Sequence, residues 1–99
     1  MAVHLLVLYP YPKDPEAFDR AYREEHLPYA GPRLAGATGV ATRRVVGAPS
    51  AWHLISDVSF PTMEALQACA GSTGGREAIA HAASISSGGA PTVVMTVDA

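Results

Sequence analysis

The run Ala2-Val-His-Leu-Leu-Val-Leu-Tyr9 carries a single polar side chain and is closed off by Pro10 and Pro12. A short apolar run bounded by prolines reads as a β-strand. Alternation places Val3, Leu5, Val7 and Tyr9 on one face and His4, Leu6 and Leu8 on the other. Both faces are apolar, so this strand has to be covered from both sides. The rest of the chain must supply two covers, or supply one and borrow the other.

Length limits the choice. With 99 residues the chain is one domain, 1–99, able to bury about two-thirds of its unfolded surface. Aromatic residues are only 7% of it, so Ala and Val have to furnish much of the core. The net charge is −2, and Arg43-Arg44 is the only adjacent basic pair. Neither nucleic acid nor an acidic membrane surface is an expected partner. The lone Cys69 excludes an internal disulfide, fits a reducing compartment, and reads as a small buried apolar residue. The first run is too short to span a bilayer and lacks the positive segment of a signal peptide. A cytoplasmic protein is expected.

After the turn Pro10–Lys13, Asp14 stands where an N-cap belongs, with Pro15 at the first helical position and Glu16 near the positive helix end. Glu16/Arg20, Asp19/Arg23 and Arg20/Glu24 are opposite charges at i, i+4, which marks a solvent side. Phe18, Ala21, Tyr22, Glu25 and His26 form the opposing stripe. Pro28 disfavours helical geometry at Leu27, so the helix is expected to end near His26. Residues 29–39, with three glycines and Pro32, read as a loop. Val40–Val46 is a strand, Gly47-Ala-Pro-Ser50 turns the chain back, and Trp52–Phe60 is a half-buried strand. Its alternation sets His53, Ile55, Asp57 and Ser59 on one face. Thr62 caps a second helix with Met63, Leu66, Cys69 and Ala70 inward, and Gly71-Ser-Thr-Gly-Gly75 reads as a flexible break. A further short helix, Arg76–Ile85, has Ile79, Ala82 and Ala83 inward. Pro91–Val97 is the last strand.

The order β-α-β-β-α-β predicts an α+β, ferredoxin-like fold: a four-stranded antiparallel sheet with helices on one face. That leaves the second apolar face of the first strand uncovered. A second copy of the chain is the simplest cover, so a homodimer through facing sheets is expected.

The segment from Val7 through Tyr-Pro-Tyr-Pro-Lys-Asp-Pro-Glu-Ala-Phe-Asp to His26-Leu-Pro28 resembles the opening of EthD-type proteins. Trp52-His-Leu-Ile and Phe60-Pro-Thr-Met-Glu-Ala-Leu-Gln67 are similar to that family's third strand and second helix. The resemblance covers nearly the whole chain and implies a dimeric α+β barrel, a superfamily that includes cofactor-free monooxygenases, cyclases, isomerases and haem-binding enzymes. The stretch Ala35-Gly36-Ala37 is smaller than the family's usual loop and would widen a pocket edge.

His26 continues the stripe of Phe18 and Tyr22, and an imidazole can take or give a proton near neutral pH, which makes it the candidate proton-transfer group. The helix C-terminus and Glu25 favour its charged form and burial its neutral one. A histidine capping its own helix end fits the same position. Tyr22 is the candidate orienting hydroxyl, and Tyr9, Tyr11, Phe18 and Trp52 are candidate substrate-lining residues, with core packing as the alternative for each. The histidines and Cys69 show no metal-ligand spacing, so no metal site is expected. Gly71–Gly75 lacks the lysine and preceding strand of a phosphate loop. These residues suit a protein that binds a small apolar organic compound and oxidises, cyclises or isomerises it without a cofactor. The competing expectation is a non-catalytic accessory protein of an oxygenase system, and haem binding through a histidine is a third. A cavity of about 300 Å³ or more lined by Tyr22 and His26 would favour catalysis. A collapsed core with His26 bonded only to backbone would favour the accessory role.

Overall fold

The two-faced apolar run becomes an interior strand. In the computed structural model, which describes residues 2–47 and 50–99, β1 (Val3–Pro10) pairs antiparallel with β3 (Trp52–Phe60) on one side and β4 (Thr92–Val97) on the other. The strand β2 (Gly39–Arg44) adds outside β3, giving a four-stranded antiparallel sheet in the order β2-β3-β1-β4. Helices pack on one face. This is the ferredoxin-like arrangement that the element order predicts.

Register divides the sheet's side chains cleanly. Val3, Leu5, Val7 and Tyr9 stand opposite Phe60, Val58, Ser56 and Leu54, and all eight are buried beneath the helices. Phe60 and Leu66 anchor one half of the core with Val3, Leu5, Val58 and Cys69. Tyr9, Phe18, Tyr22, Leu54 and Ala82 anchor the other. Cys69 is a buried free thiol, as its sequence context implies.

The first helix departs from expectation at its end. Asp14 caps α1 (Pro15–Ala21) by accepting from the Ala17 amide. The helix then widens into a π-helical stretch, Tyr22–His26, in which the Leu27 amide donates to the Tyr22 carbonyl. It continues as α2 (Leu27–Ala30) and a 3₁₀ turn, Gly31–Arg33. Pro28 therefore does not end the helix. An α-turn would need a donor from Pro28 and would press its ring against the Glu24 carbonyl. The extra residue in the wider turn removes both conflicts. The rotation that follows leaves Glu25 in solvent, not in the inward stripe.

Three further corrections concern local geometry. Residues 71–75 are not a flexible break. After α3 (Met63–Gly71), Ser72 caps α4 (Thr73–Ile85) by accepting from the Gly75 amide. A Cβ at Gly75 would collide with the Cys69 carbonyl, so glycine allows the two helices to meet without a loop. Along α4, Ala78 and Ala82 are buried while Ala83 is exposed. In β3, Tyr9 pairs with Leu54 but Pro10 pairs with Trp52, so His53 is an unpaired extra residue. This irregularity turns His53 toward the helices, away from the face of Asp57. Finally, β2 stops at Arg44 instead of Val46; the turn assigned to 47–50 includes 48–49, outside the described residues.

The outer face of the sheet carries His4, Leu6 and Leu8 from β1, Ala41 and Arg43 from β2, Ile55 and Asp57 from β3, and Val94 from β4. No element of the chain covers it among the described residues. Beyond the helices' reach, the inward-facing Met95 and Val97 of β4 are each 55% exposed.

The helix junction gives a paired test. Gly75→Ala should lower stability by about 1–3 kcal/mol through the collision with Cys69. Gly71→Ala, which meets open space, should leave it unchanged or raise it by up to about 1 kcal/mol. Chemical denaturation of both variants checks the contrast; equal effects would restore the flexible-loop reading.

Candidate functional site

The π-helical stretch begins at Tyr22 and ends at His26, and both side chains are buried against the sheet. Their rings lie 5.6 Å apart. Tyr9, rising from β1, meets Phe18 edge-on at 5.1 Å and Tyr22 at 5.7 Å. Phe18, Tyr22, Tyr9 and His26 thus form one continuous aromatic cluster, in keeping with the helix stripe.

His26 bonds to side chains and not to its own helix end. Its Nδ1 shares a 3.0 Å hydrogen bond with Nδ1 of His81 on α4, and its Nε2 lies 3.5 Å from the Tyr9 hydroxyl. Burial, reinforced by the nearby His81, pushes the His26 pKa down to about 4, so the ring is neutral at pH 7. Burial, with a smaller contribution from Tyr22, also raises the Tyr9 pKa, so that hydroxyl keeps its proton. A protonated phenol can donate to Nε2, and in that arrangement His26 carries its proton on Nδ1 and donates it to His81. His81 in turn stacks on Tyr29 at 4.5 Å, and the Arg33 guanidinium lies 3.6 Å over the Tyr29 ring. The histidine pair is therefore held from both ends.

Beside His26 is a cavity of about 200 Å³. Leu5, Val7 and Val58 of the sheet form its floor, Leu27, Ala30 and Leu34 one wall, and Ala78, Ile79 and Ala82 of α4 the other. Val40 stands at its edge, and its polar lining is limited to His26 and Ser56. Tyr22 does not line it. The Tyr22 hydroxyl instead donates to Ser56 Oγ at 3.1 Å and accepts from Thr42 at 2.7 Å, so it orients a hydroxyl that does reach the cavity. The site thus takes neither of the two forms that the sequence distinguishes. It is smaller than 300 Å³ and lacks Tyr22, yet His26 is not confined to backbone.

The other aromatic candidates separate. Tyr9 is fully buried and Phe18 nearly so, and both are core. Tyr11 is 59% exposed and touches His53 edge-on. Trp52 lies half-buried at the start of β3, opposite Pro10, and is not among the cavity-lining residues. Sequence reasoning missed His81. Its one available signal was position: it precedes the buried Ala82 and follows Ala78 by three residues, on the flank of the inward stripe of α4.

A second histidine has the opposite environment. On the outer sheet face, His4 Nδ1 lies 2.7 Å from Asp57 and Nε2 lies 2.9 Å from Asp98. Both nitrogens can donate only from an imidazolium, and these carboxylates, Asp57 foremost, raise the His4 pKa. Burial opposes ionisation of Asp57, but Arg43 at 2.8 Å and His4 hold its carboxyl below the ordinary range. No group of His, Cys, Asp or Glu side chains among the described residues is arranged to hold a metal. No helix among them is long and apolar enough to cross a membrane.

The two histidines act in opposite directions with pH. For His26, the unfolded chain takes up a proton that the folded chain refuses between about 6.5 and about 4. Stability from this group is present at neutral pH and is lost on acidification, by on the order of 2–3 kcal/mol. His4 contributes below its unfolded pKa and loses that contribution as pH rises through its higher folded value. Unfolding free energies at pH 7 and pH 4.5 should fall less with acid in His26→Gln than in the native sequence; identical slopes would contradict a neutral, buried His26.

Structural comparison agrees with the EthD resemblance. An ethyl tert-butyl ether degradation (EthD) family protein from Bacillus halodurans is 26% identical, with a TM-score of 0.88 over 100% of both chains. An EthD-like protein from Ralstonia eutropha is 19% identical, with a TM-score of 0.71 over 96% of this chain and 89% of that one. A dimeric ferredoxin-like protein from Thermobifida fusca, one of several neighbours described as dimeric, is 12% identical, with a TM-score of 0.67 over 98% and 91%. No family model matches the chain, and no curated protein matches it in sequence.

Proposed function

Taking the EthD-type structure as premise, we propose that this protein binds a small, largely apolar organic molecule in the cavity beside His26 and moves a proton on it. The observation that carries this reading is the cavity lining: nearly all apolar, with one titratable side chain, and that one neutral at pH 7. A neutral imidazole can take a proton from an acidic C–H or O–H group of a bound substrate at Nε2, once the substrate displaces the long, 3.5 Å contact from the Tyr9 hydroxyl. Returning the proton at another atom gives isomerisation or cyclisation with no further reagent, while oxidation would require dioxygen as electron acceptor. His81 steadies the imidazole and Tyr9 sets its tautomer, while Tyr22 orients Ser56 toward the ligand. Phe18 backs this cluster; Tyr11 and Trp52 have no assigned contact. This reading assigns no resident cofactor, and a cavity of about 200 Å³ is smaller than a haem macrocycle needs.

The small volume also favours a second reading, an accessory protein that holds such a ligand without converting it. The two are separable. Native mass spectrometry should find a small organic ligand retained through purification. Ala30→Phe, which fills the cavity, should abolish retention. His26→Gln should keep the ligand, and under the catalytic reading it should lower turnover about 100-fold or more. Undiminished turnover in His26→Gln would leave only the accessory role, and retention unchanged by Ala30→Phe would overturn the cavity assignment.

We further propose that two copies associate through the outer sheet faces. Leu6, Leu8, Ile55 and Val94 supply apolar surface there, and the dimeric neighbours support this choice of partner. Light scattering should report a dimer at micromolar concentration, and Ile55→Lys should convert it to a folded monomer. A monodisperse native monomer would contradict the assignment.

A further inference from the structure

Asp19 is expected from its sequence spacing to pair with Arg23 across one helical turn, and it does not. Its carboxylate turns toward the sheet, where Oδ1 lies 2.8 Å from His53 Nε2 and Oδ2 lies 3.0 Å from an Arg44 guanidinium nitrogen. Burial opposes ionisation of Asp19, yet the hydrogen bonds from His53 and Arg44 keep it a carboxylate. Both oxygens are engaged. Arg23 is left with no ion-pair partner among the described residues.

Arg23 and Arg44 flank a cleft of about 230 Å³ between the π-helical stretch and β2. Leu27 and Leu54 give it an apolar surface, and Thr42 adds to its wall. Two guanidiniums against one internal carboxylate leave a surplus of one positive charge, the complement of a monoanion. Arg44 uses one nitrogen on Asp19 and has further N–H donors to give, and all of those on Arg23 are available. Guanidinium forks match the two oxygens of a carboxylate. We infer that this cleft binds a small apolar organic acid, its carboxylate between Arg23 and Arg44 and its hydrocarbon against Leu27 and Leu54.

The site is distinct from the His26 cavity and needs no chemistry there. Leu27 is the one residue that lines both. An acid seated in the cleft therefore rests against the wall of the cavity.

Hexanoate and its neutral isostere hexanamide, titrated into the full chain and followed by ¹H–¹⁵N correlation spectra, test this directly. Hexanoate should give saturable shifts at Asp19–Leu27 and Thr42–Arg44, and hexanamide should bind about tenfold more weakly. Arg23→Gln, an exposed substitution with no ion pair to lose, should weaken hexanoate about tenfold. Asp19→Asn should strengthen it by removing the internal competitor. Arg43→Gln, on the opposite face of the same strand, should leave it unchanged. Equal binding of hexanoate and hexanamide would overturn the inference, as would equal weakening by Arg43→Gln and Arg23→Gln, or no saturable shift. Shifts confined to the His26 cavity would overturn it too, while leaving the proposed function standing.

Discussion

Pro28 has no amide hydrogen to give, and the candidate site follows from how the helix absorbs that loss. A proline in the fourth turn of an ordinary α-helix would break the backbone ladder or bend it. Here the turn before it widens, and Leu27 donates to Tyr22 across one extra residue. The helix then runs on through Ala30, so Leu27, Ala30 and Leu34 reach over the sheet as one wall of the His26 cavity. Had the chain stopped at His26, that wall would be a loop and the imidazole would sit at a frayed end. The same widened turn carries Tyr22 and His26 at its two ends, which sets their relation to Tyr9 below.

The sheet separates two electrostatic regimes with only its own thickness between them. Around His26, under the helices, burial dominates: His26 is held neutral and Tyr9 keeps its proton. On the outer face, charge dominates: His4 is held between two carboxylates, and Asp57 is shared with Arg43. The inner regime suits proton transfer on an apolar ligand. The outer one surrounds its charges with Leu6 and Ile55, a pattern suited to a packed protein surface where paired charges fix orientation more than they add affinity.

Much of this was legible in the residues. The alternation of β1 and the Asp14-Pro15 start of α1 depend on local stereochemistry and needed no tertiary information, and the EthD resemblance followed the same segment. The inward position of His26 was legible too, since the stripe from Phe18 through Tyr22 points there under either helical geometry. The π-turn was not, because a proline normally argues against helix and only packing onto the sheet shows that continuing was favourable. Nor was the turning of His53, which depends on an extra residue in β3 that alternation cannot register. The glycines of 71–75 read as loop because glycine is permissive; what decided their role was the Cys69 carbonyl, close in space. His81 escaped notice for a similar reason. Its partner lies on another helix, 55 residues away in sequence.

The central claim is that His26 is a neutral imidazole with its proton on Nδ1, held between His81 and Tyr9 at the edge of an apolar cavity. Long-range ¹H–¹⁵N spectra of the histidine side chains, recorded from pH 8 to pH 4, report charge and tautomer together. The account predicts a His26 signal with a protonated Nδ1 and an unprotonated Nε2 that stays neutral until the pH approaches about 4. An imidazolium at pH 6–7, or a proton on Nε2, would contradict it.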